Sequence, residues 1–300
     1  MSAPPTAKAS LKPLPAPTAS GTIVFMKVIT PWFGGNGDVY VVHPDGTGLK
    51  AIADSPGWET HPSWSPDGRR IVYTLYPAGT ENGMAATPWI MNADGSGKKQ
   101  LTKEILGGDW ATWSPDGKLI AFVKFLPKVY DGQAVYLIGA DGTGLRRLTH
   151  QSIDAAHSEA LPSWTVDGRV LLVREGDVWV VNTDGSGLRR LTRNGSVSEY
   201  ALSPDGKLLA FQDNDKGRVE VVATRGGGSP VKLLGPVTKF IPNDPQASPG
   251  WSPDGKAVAI ASSLLAGYYG SRLYIVNADG SGLSAVPGID SAVDPSWRPQ

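Results

Sequence analysis

Short runs rich in apolar, β-branched and aromatic residues recur along this chain, as in Lys118-Leu-Ile-Ala-Phe-Val123, Asp177-Val-Trp-Val-Val181 and Arg272-Leu-Tyr-Ile-Val276. Such runs are too short for helices and are bounded by Gly, Pro and Asp, which is the pattern of β-strands joined by tight turns. Two phrases separate them in strict alternation. The first is Trp64-Ser-Pro-Asp-Gly-Arg69, repeated at Trp113-Ser-Pro-Asp-Gly-Lys118, Trp164-Thr-Val-Asp-Gly-Arg169, Leu202-Ser-Pro-Asp-Gly-Lys207 and Trp251-Ser-Pro-Asp-Gly-Lys256, with a partial copy at Trp297-Arg-Pro-Gln300. The second is Asp45-Gly-Thr-Gly48, repeated at Asp94, Asp141, Asp184 and Asp279 and degenerate at Arg225-Gly-Gly-Gly228. Asp-Gly between two apolar runs signals a hairpin, because the turn needs positive φ.

Successive copies of the first phrase start 49, 51, 38, 49 and 46 residues apart, a period in which one four-stranded unit repeats around a propeller. Each unit reads as an inner strand ending at Trp-Ser, a Pro-Asp-Gly turn, a second strand, a variable loop, a third strand, an Asp-Gly-Ser-Gly turn and a fourth strand. The second strands begin near Gly21, Arg69, Lys118, Arg169, Lys207 and Lys256. The expectation is an all-β, six-bladed β-propeller with four antiparallel strands per blade. It is closed by the C-terminal strand Asp294-Pro-Ser-Trp297 joining the N-terminal blade at Gly21-Thr-Ile-Val-Phe-Met26. Residues 1–20 form a Pro/Ala-rich tract read as a disordered tether, and residues 21–300 as the propeller.

Composition narrows the functional classes. The chain has 28 basic and 28 acidic residues and no net charge, so it lacks the basic face that nucleic acid calls for. No apolar stretch reaches the roughly 20 residues of a spanning helix, so membrane insertion is not expected. Cysteine is absent, which removes disulfides and thiolate metal sites. The tether before the repeats is read as belonging to an extracytoplasmic protein, periplasmic, secreted or lipid-anchored, with the export signal not in this sequence.

The Trp-Ser-Pro-Asp-Gly phrases, together with Asn92-Ala-Asp-Gly-Ser-Gly97 and Asn277-Ala-Asp-Gly-Ser-Gly-Leu283, resemble the bacterial WD-like propeller repeats of the TolB family over residues 21–300. The resemblance implies the propeller fold. The same propeller also occurs in prolyl oligopeptidases and in certain polysaccharide lyases, where histidines and a divalent metal work at the central mouth. No Gly-x-Ser-x-Gly nucleophile elbow is present.

Strand parity places the stereotyped turns at one end of the blades and the dissimilar loops 30–36, 76–87, 125–132, 150–161, 234–248 and 262–270 at the other. Binding residues are usually carried by such loops. Trp32, Phe33, Trp58, Trp110, Tyr130, Tyr200, Tyr268 and Tyr269, with Phe240, are therefore the candidate ligand-binding aromatics. The repeated Trp64, Trp113, Trp164, Trp251 and Trp297 are assigned to packing between blades. Polar residues just ahead of the inner strands, namely Glu59, His61, Asp109, His157, Glu159, Glu199 and Asp294, with Gln246 and Asp290, converge from different blades onto the axial channel. They suit a polar funnel or a divalent cation, the candidate cofactor; His61, His157 and Glu159 are the candidates for acid or base work. The leading expectation is a non-catalytic module that binds a protein or glycan at the cell envelope through the variable-loop face. The alternative is a metal-assisted polysaccharide lyase or hydrolase at the channel mouth.

Overall fold

A computed structural model describes residues 21–29, 37–80, 85–103, 107–126, 132–149, 159–193, 195–213, 215, 218–223, 248–262, 272–279 and 281–299. The tract read as a tether, residues 1–20, lies outside them. Sheet I contains β1 (Ile23–Val28), β2 (Gly37–Val42) and β3 (Lys50–Ala53); sheet II, β4 (Trp58–Trp64), β5 (Arg70–Tyr76), β6 (Thr87–Asn92) and β7 (Lys99–Gln100). Sheet III contains β8 (Gly108–Trp113), β9 (Leu119–Phe125), β10 (Gln133–Gly139) and β11 (Arg146–Arg147); sheet IV, β12 (Glu159–Trp164), β13 (Val170–Arg174), β14 (Asp177–Val181) and β15 (Arg189–Arg190). Sheet V contains β16 (Val197–Leu202), β17 (Leu208–Asp213) and β18 (Arg218–Ala223). Sheet VI contains β19 (Ser248–Trp251), β20 (Ala257–Ser262), β21 (Arg272–Asn277) and β22 (Ser284–Ala285), and the last strand, β23 (Ala292–Trp297), joins sheet I beside β1.

The chain is thus an all-β propeller, but the expectation of six four-stranded blades is corrected. The described residues complete five such blades, and sheet V stops at three strands. The repeat is degenerate in the sequence after β18: Arg225-Gly-Gly-Gly228 has neither the Asp nor the Ser of the equivalent turns, and residues 224–247 fall outside the described set. The inner strands β4, β8, β12, β16, β19 and β23 touch one another in that order, and β23 returns to β4 to close the ring. β23 runs antiparallel to β1, with Ile23 opposite Trp297 and Lys27 opposite Ala292.

The repeated phrases fold the same way in each blade because their short polar side chains bond their own backbone. Ser65 Oγ donates to Asp67 Oδ1 at 2.6 Å and accepts from the amide of Arg70 at 2.9 Å, while Asp67 Oδ1 also accepts from the amide of Arg69 at 3.1 Å. Ser114 and Asp116, Ser203 and Asp205, and Ser252 and Asp254 repeat the arrangement. In the second phrase Asp94 Oδ1 accepts from the amide and hydroxyl of Ser96 at 2.9 and 2.7 Å. Gly95, at φ 90°, lies so near the preceding sheet that a Cβ would stand 2.5 Å from the carbonyl oxygen of Ile52. Only glycine allows that approach.

The core is divided among the sheet-to-sheet interfaces. Val24 and Val39 of sheet I pack with Trp64 and Ile71 of sheet II; Val123 and Val135 of sheet III pack with Trp164 and Val170 of sheet IV; Phe25 and Trp297 of sheet I pack with Ala259 and Leu273 of sheet VI. Three of the repeated tryptophans also donate across the interface: Trp164 Nε1 to Thr112 O at 3.3 Å, Trp251 Nε1 to Ala201 O at 3.1 Å and Trp297 Nε1 to Gly250 O at 3.1 Å. The indole nitrogens of Trp64 and Trp113 are buried without a partner among the described residues. Their rings instead lie under guanidinium groups, Arg298 at 5.3 Å and Arg70 at 4.5 Å.

Candidate functional site at the axial mouth

An irregularity built into the inner strands aims side chains at the axis. Register shifts interrupt β4 between Thr60 and Ser63, β8 between Asp109 and Thr112, β12 between Ala160 and Ser163, and β16 between Val197 and Tyr200. At the third position before the Trp of the phrase, His61, Trp110, Leu161 and Asp294 have φ of 48°, 52°, 51° and 51°. A left-handed backbone at a non-glycine residue costs about 1–3 kcal/mol. A bulge bends the strand and re-aims its side chains, and the same strain recurring at one repeat position marks the structural basis of the mouth.

Four of the expected polar residues meet there from four sheets. His61 of β4 donates from Nδ1 to Asp109 Oδ1 of β8 at 2.8 Å, with Thr60 Oγ1 at 3.0 Å, and its Nε2 stands 3.4 Å from Asp294 Oδ2 of β23. Asp109 is buried and also accepts from the hydroxyl of Tyr76 at 2.5 Å and from the amide of Trp110 at 2.8 Å. Burial alone would lower the His61 pKa, but Asp109 and Asp294 outweigh it and push it up to about 10. Burial would raise Asp109, yet the facing imidazolium and the hydrogen bonds it receives hold it below the usual carboxylate range. Glu199 of β16 is raised to about 8 by burial and then by Asp294, against the pull of His61.

This constellation is a charged clasp between sheets. With Nδ1 bonded to Asp109 and Nε2 facing the Asp294 carboxylate, His61 is held as an imidazolium, which has no lone pair for a metal, and among the described residues no group of three or more His, Asp or Glu side chains is arranged to hold one. The site does not fit a divalent cation through His61.

The remaining candidates divide. Glu59 and Glu159 take their hydrogen bonds from groups other than His61. Glu59 Oε1 accepts from the amide of Ser55 at 3.0 Å, and Glu159 Oε2 accepts from the amide of Val135 at 3.1 Å and from Thr149 Oγ1 at 2.6 Å. Tyr200 is buried, and its hydroxyl donates to Leu161 O at 2.7 Å. Asp290, on the surface, pairs with Lys27 at 3.7 Å. Trp58 is 39% exposed with its ring 6.0 Å from that of Tyr76, and Trp110 lies 5.3 Å from the His61 ring. Trp32, Phe33, Tyr130, His157, Phe240, Gln246, Tyr268 and Tyr269 lie outside the described residues. The sequence reading missed Tyr76 and Thr60. The signal for Tyr76 was available in Tyr73 and Tyr76, which stand an odd number of residues apart at the end of β5, so the second leaves the core face of the first.

Fold and site together define a propeller whose axial mouth is lined by inner-strand bulges, and comparison with known proteins gives its family. Residues 112–300 match the family model described as the TolB beta propeller domain. The chain belongs to that family. The fold is similar to TolB from Acinetobacter baumannii, with a TM-score of 0.73 at 20% identity over 93% of this chain and 67% of that one. It is also similar to the hydrazine synthase of Kuenenia stuttgartiensis (TM-score 0.72, 14% identity, 93% of this chain and 47% of that one). A third similar structure is an oligogalacturonate lyase from Vibrio parahaemolyticus (TM-score 0.53, 14% identity, 79% and 71%). Comparison with curated protein sequences finds no significant match. Among the described residues no helix is long and apolar enough to cross a membrane.

Proposed function

We propose that this chain is a non-catalytic binding module that receives a protein or glycan at the variable-loop end of the propeller, beside the axial mouth, in the cell envelope. One observation carries the reading. Trp58 is exposed and in tilted ring contact with Tyr76, whose hydroxyl is bonded to Asp109, which in turn bonds His61 and the amide of Trp110. An aromatic held in place before a partner arrives loses little freedom on binding, which is the property of residues that dominate interfaces. The clasp also argues against chemistry at the described mouth, since His61 is locked as a cation and Asp109 is fully engaged. Membership of the TolB family is consistent with such a module and with a location outside the cytoplasm.

The test is binding of the purified chain to immobilised panels of envelope glycans and of peptides, followed by W58A and W110A. Each variant should weaken the interaction about tenfold or more; W58A should leave the melting temperature within a few degrees, whereas W110A, whose ring packs against the core between sheets III and IV, should lower it. Equal binding by both variants would refute the placement, and release of an unsaturated uronate product would refute the non-catalytic reading.

A further inference from the structure

The repeats supply an internal control for the slot that holds Glu59. Aligning the Trp phrases places Glu59 of sheet II on Glu159 of sheet IV, and aligning the Asp-Gly-Thr-Gly turns places the preceding sheet's Asp38 on Ala134 and Ala53 on Thr149. In the slot between sheets III and IV the buried carboxylate has a hydroxyl and a guanidinium beside it, although its Oε1, which faces that guanidinium, accepts no hydrogen bond among the described residues. Glu159 is 0% exposed, receives Val135 N and Thr149 Oγ1, and lies 3.7 Å from the guanidinium of Arg174, its cross-strand partner.

Between sheets I and II the same position has lost both side-chain partners, the hydroxyl donor and the cation. Thr149 is replaced by Ala53, and Leu75 stands opposite Glu59 where Arg174 stands opposite Glu159. Ala134 is replaced by Asp38, which adds a carboxylate. Glu59 is 1% exposed, and its Oε2 is buried with no hydrogen-bond partner among the described residues. Burial and Asp38 push its pKa up against the hydrogen bond from Ser55, and burial and Asp54 push up that of Asp38. Lys27, opposite Asp38 in register, directs its ammonium to Asp290 at 3.7 Å and over the Tyr40 ring at 5.5 Å. A buried carboxylate with an unpaired oxygen and carboxylate neighbours is one cation short.

We propose that the slot lined by Asp38, Asp54 and Glu59 receives the guanidinium of an arginine side chain from a protein partner, as the sister slot receives that of Arg174. The planar, weakly hydrated guanidinium suits a buried carboxylate better than a lysine ammonium does. Asp54, whose charge acts on Asp38, is exposed, and Trp58, the residue before Glu59, has its indole nitrogen 2.3 Å from where a Cβ on Gly37 would stand. An arginine anchor beside an exposed tryptophan is the pairing that commonly dominates protein interfaces. The inference rests on the reading that this end of the propeller binds a partner, and it narrows that partner to a protein.

The probe is N-acetylarginine amide, with the neutral isostere N-acetylcitrulline amide as control, titrated calorimetrically into the whole chain. Wild type should prefer arginine about tenfold or more, the change expected for one paired charge. E59Q should abolish the preference and D38N should reduce it. Equal affinity for the two probes, no binding of either, or a preference unchanged in both variants would overturn the proposal. Should E59Q fail to fold, D38N still decides. Panel binding through Trp58 without arginine selectivity would sink the slot alone. Arginine selectivity without any panel ligand would sink the binding reading and leave the slot.

Discussion

The Nε2 atom of His61 stands 3.4 Å from Oδ2 of Asp294, so the inner strand of sheet II is tied to the strand that completes sheet I. His61 carries a pKa of about 10 in the fold against about 6.5 in an unfolded chain. Because the folded value is the higher one, the stabilisation is fully present below about pH 6.5 and disappears as pH rises through about 10. Glu199, raised to about 8, acts in the same direction, with stability lost from about pH 4.5 up to that value. The melting temperature should therefore fall as pH rises from 6 to 10. H61Q should flatten the upper part of that fall and E199Q the lower part, as measured by thermal scans across the range; a profile unchanged in H61Q would disprove the clasp.

Removal of residues 293–300 deletes most of β23 and with it Trp297, which is buried and bonded to Gly250 O. Loss of a buried Trp costs about 3–5 kcal/mol, a large part of the 5–15 kcal/mol that holds a typical domain together. The truncated chain should be insoluble or melt far below wild type, whereas deletion of residues 2–18 should leave the melting temperature nearly unchanged. Equal tolerance would show that β23 does not carry the closure.

The tryptophans offer a comparison within one molecule. W297F and W251F each remove an indole hydrogen bond to a carbonyl of the neighbouring sheet, while W64F removes an indole nitrogen that has no partner among the described residues. Urea unfolding should show the first two costing about 1 kcal/mol more than the third. Indistinguishable costs would mean that these bonds add nothing beyond packing.

In the turns, Ser114 is buried, and its hydroxyl serves both Asp116 and the amide of Leu119. S114A should destabilise by about 1–3 kcal/mol because that amide is left without its acceptor. The equilibrium midpoint in denaturant reports it, and a shift within error would remove the turn phrase from the forces that hold the blade.

The fold was legible because its turns use local chemistry that repeats in register: Ser, Asp and Gly in the first phrase perform the same bonds in sheets II, III, V and VI. What failed was the count of complete blades, at the one hairpin whose sequence lacks those groups. The mouth was half legible. His61, Asp109, Glu199 and Asp294 could be placed near the axis from strand order alone, but Glu59 and Glu159 were grouped with them. The bulges account for their different partners. One extra residue between Thr60 and Ser63 reverses the face on which earlier residues of β4 lie, and nothing in Glu-Thr-His-Pro-Ser-Trp announces the extra residue.

The pairing of β1 with β23 has a mechanical side. Ile23 begins the first strand and Trp297 ends the last, and they are directly opposite one another. A load applied to the chain at those two points would open the cross-strand bonds one after another, like a zip, and would never draw on them together. Resistance to pulling is set by the unfolding rate along that path and not by equilibrium stability. A ring that is sealed against heat by Trp297 and the His61 clasp is thus built to part at low force from its own ends.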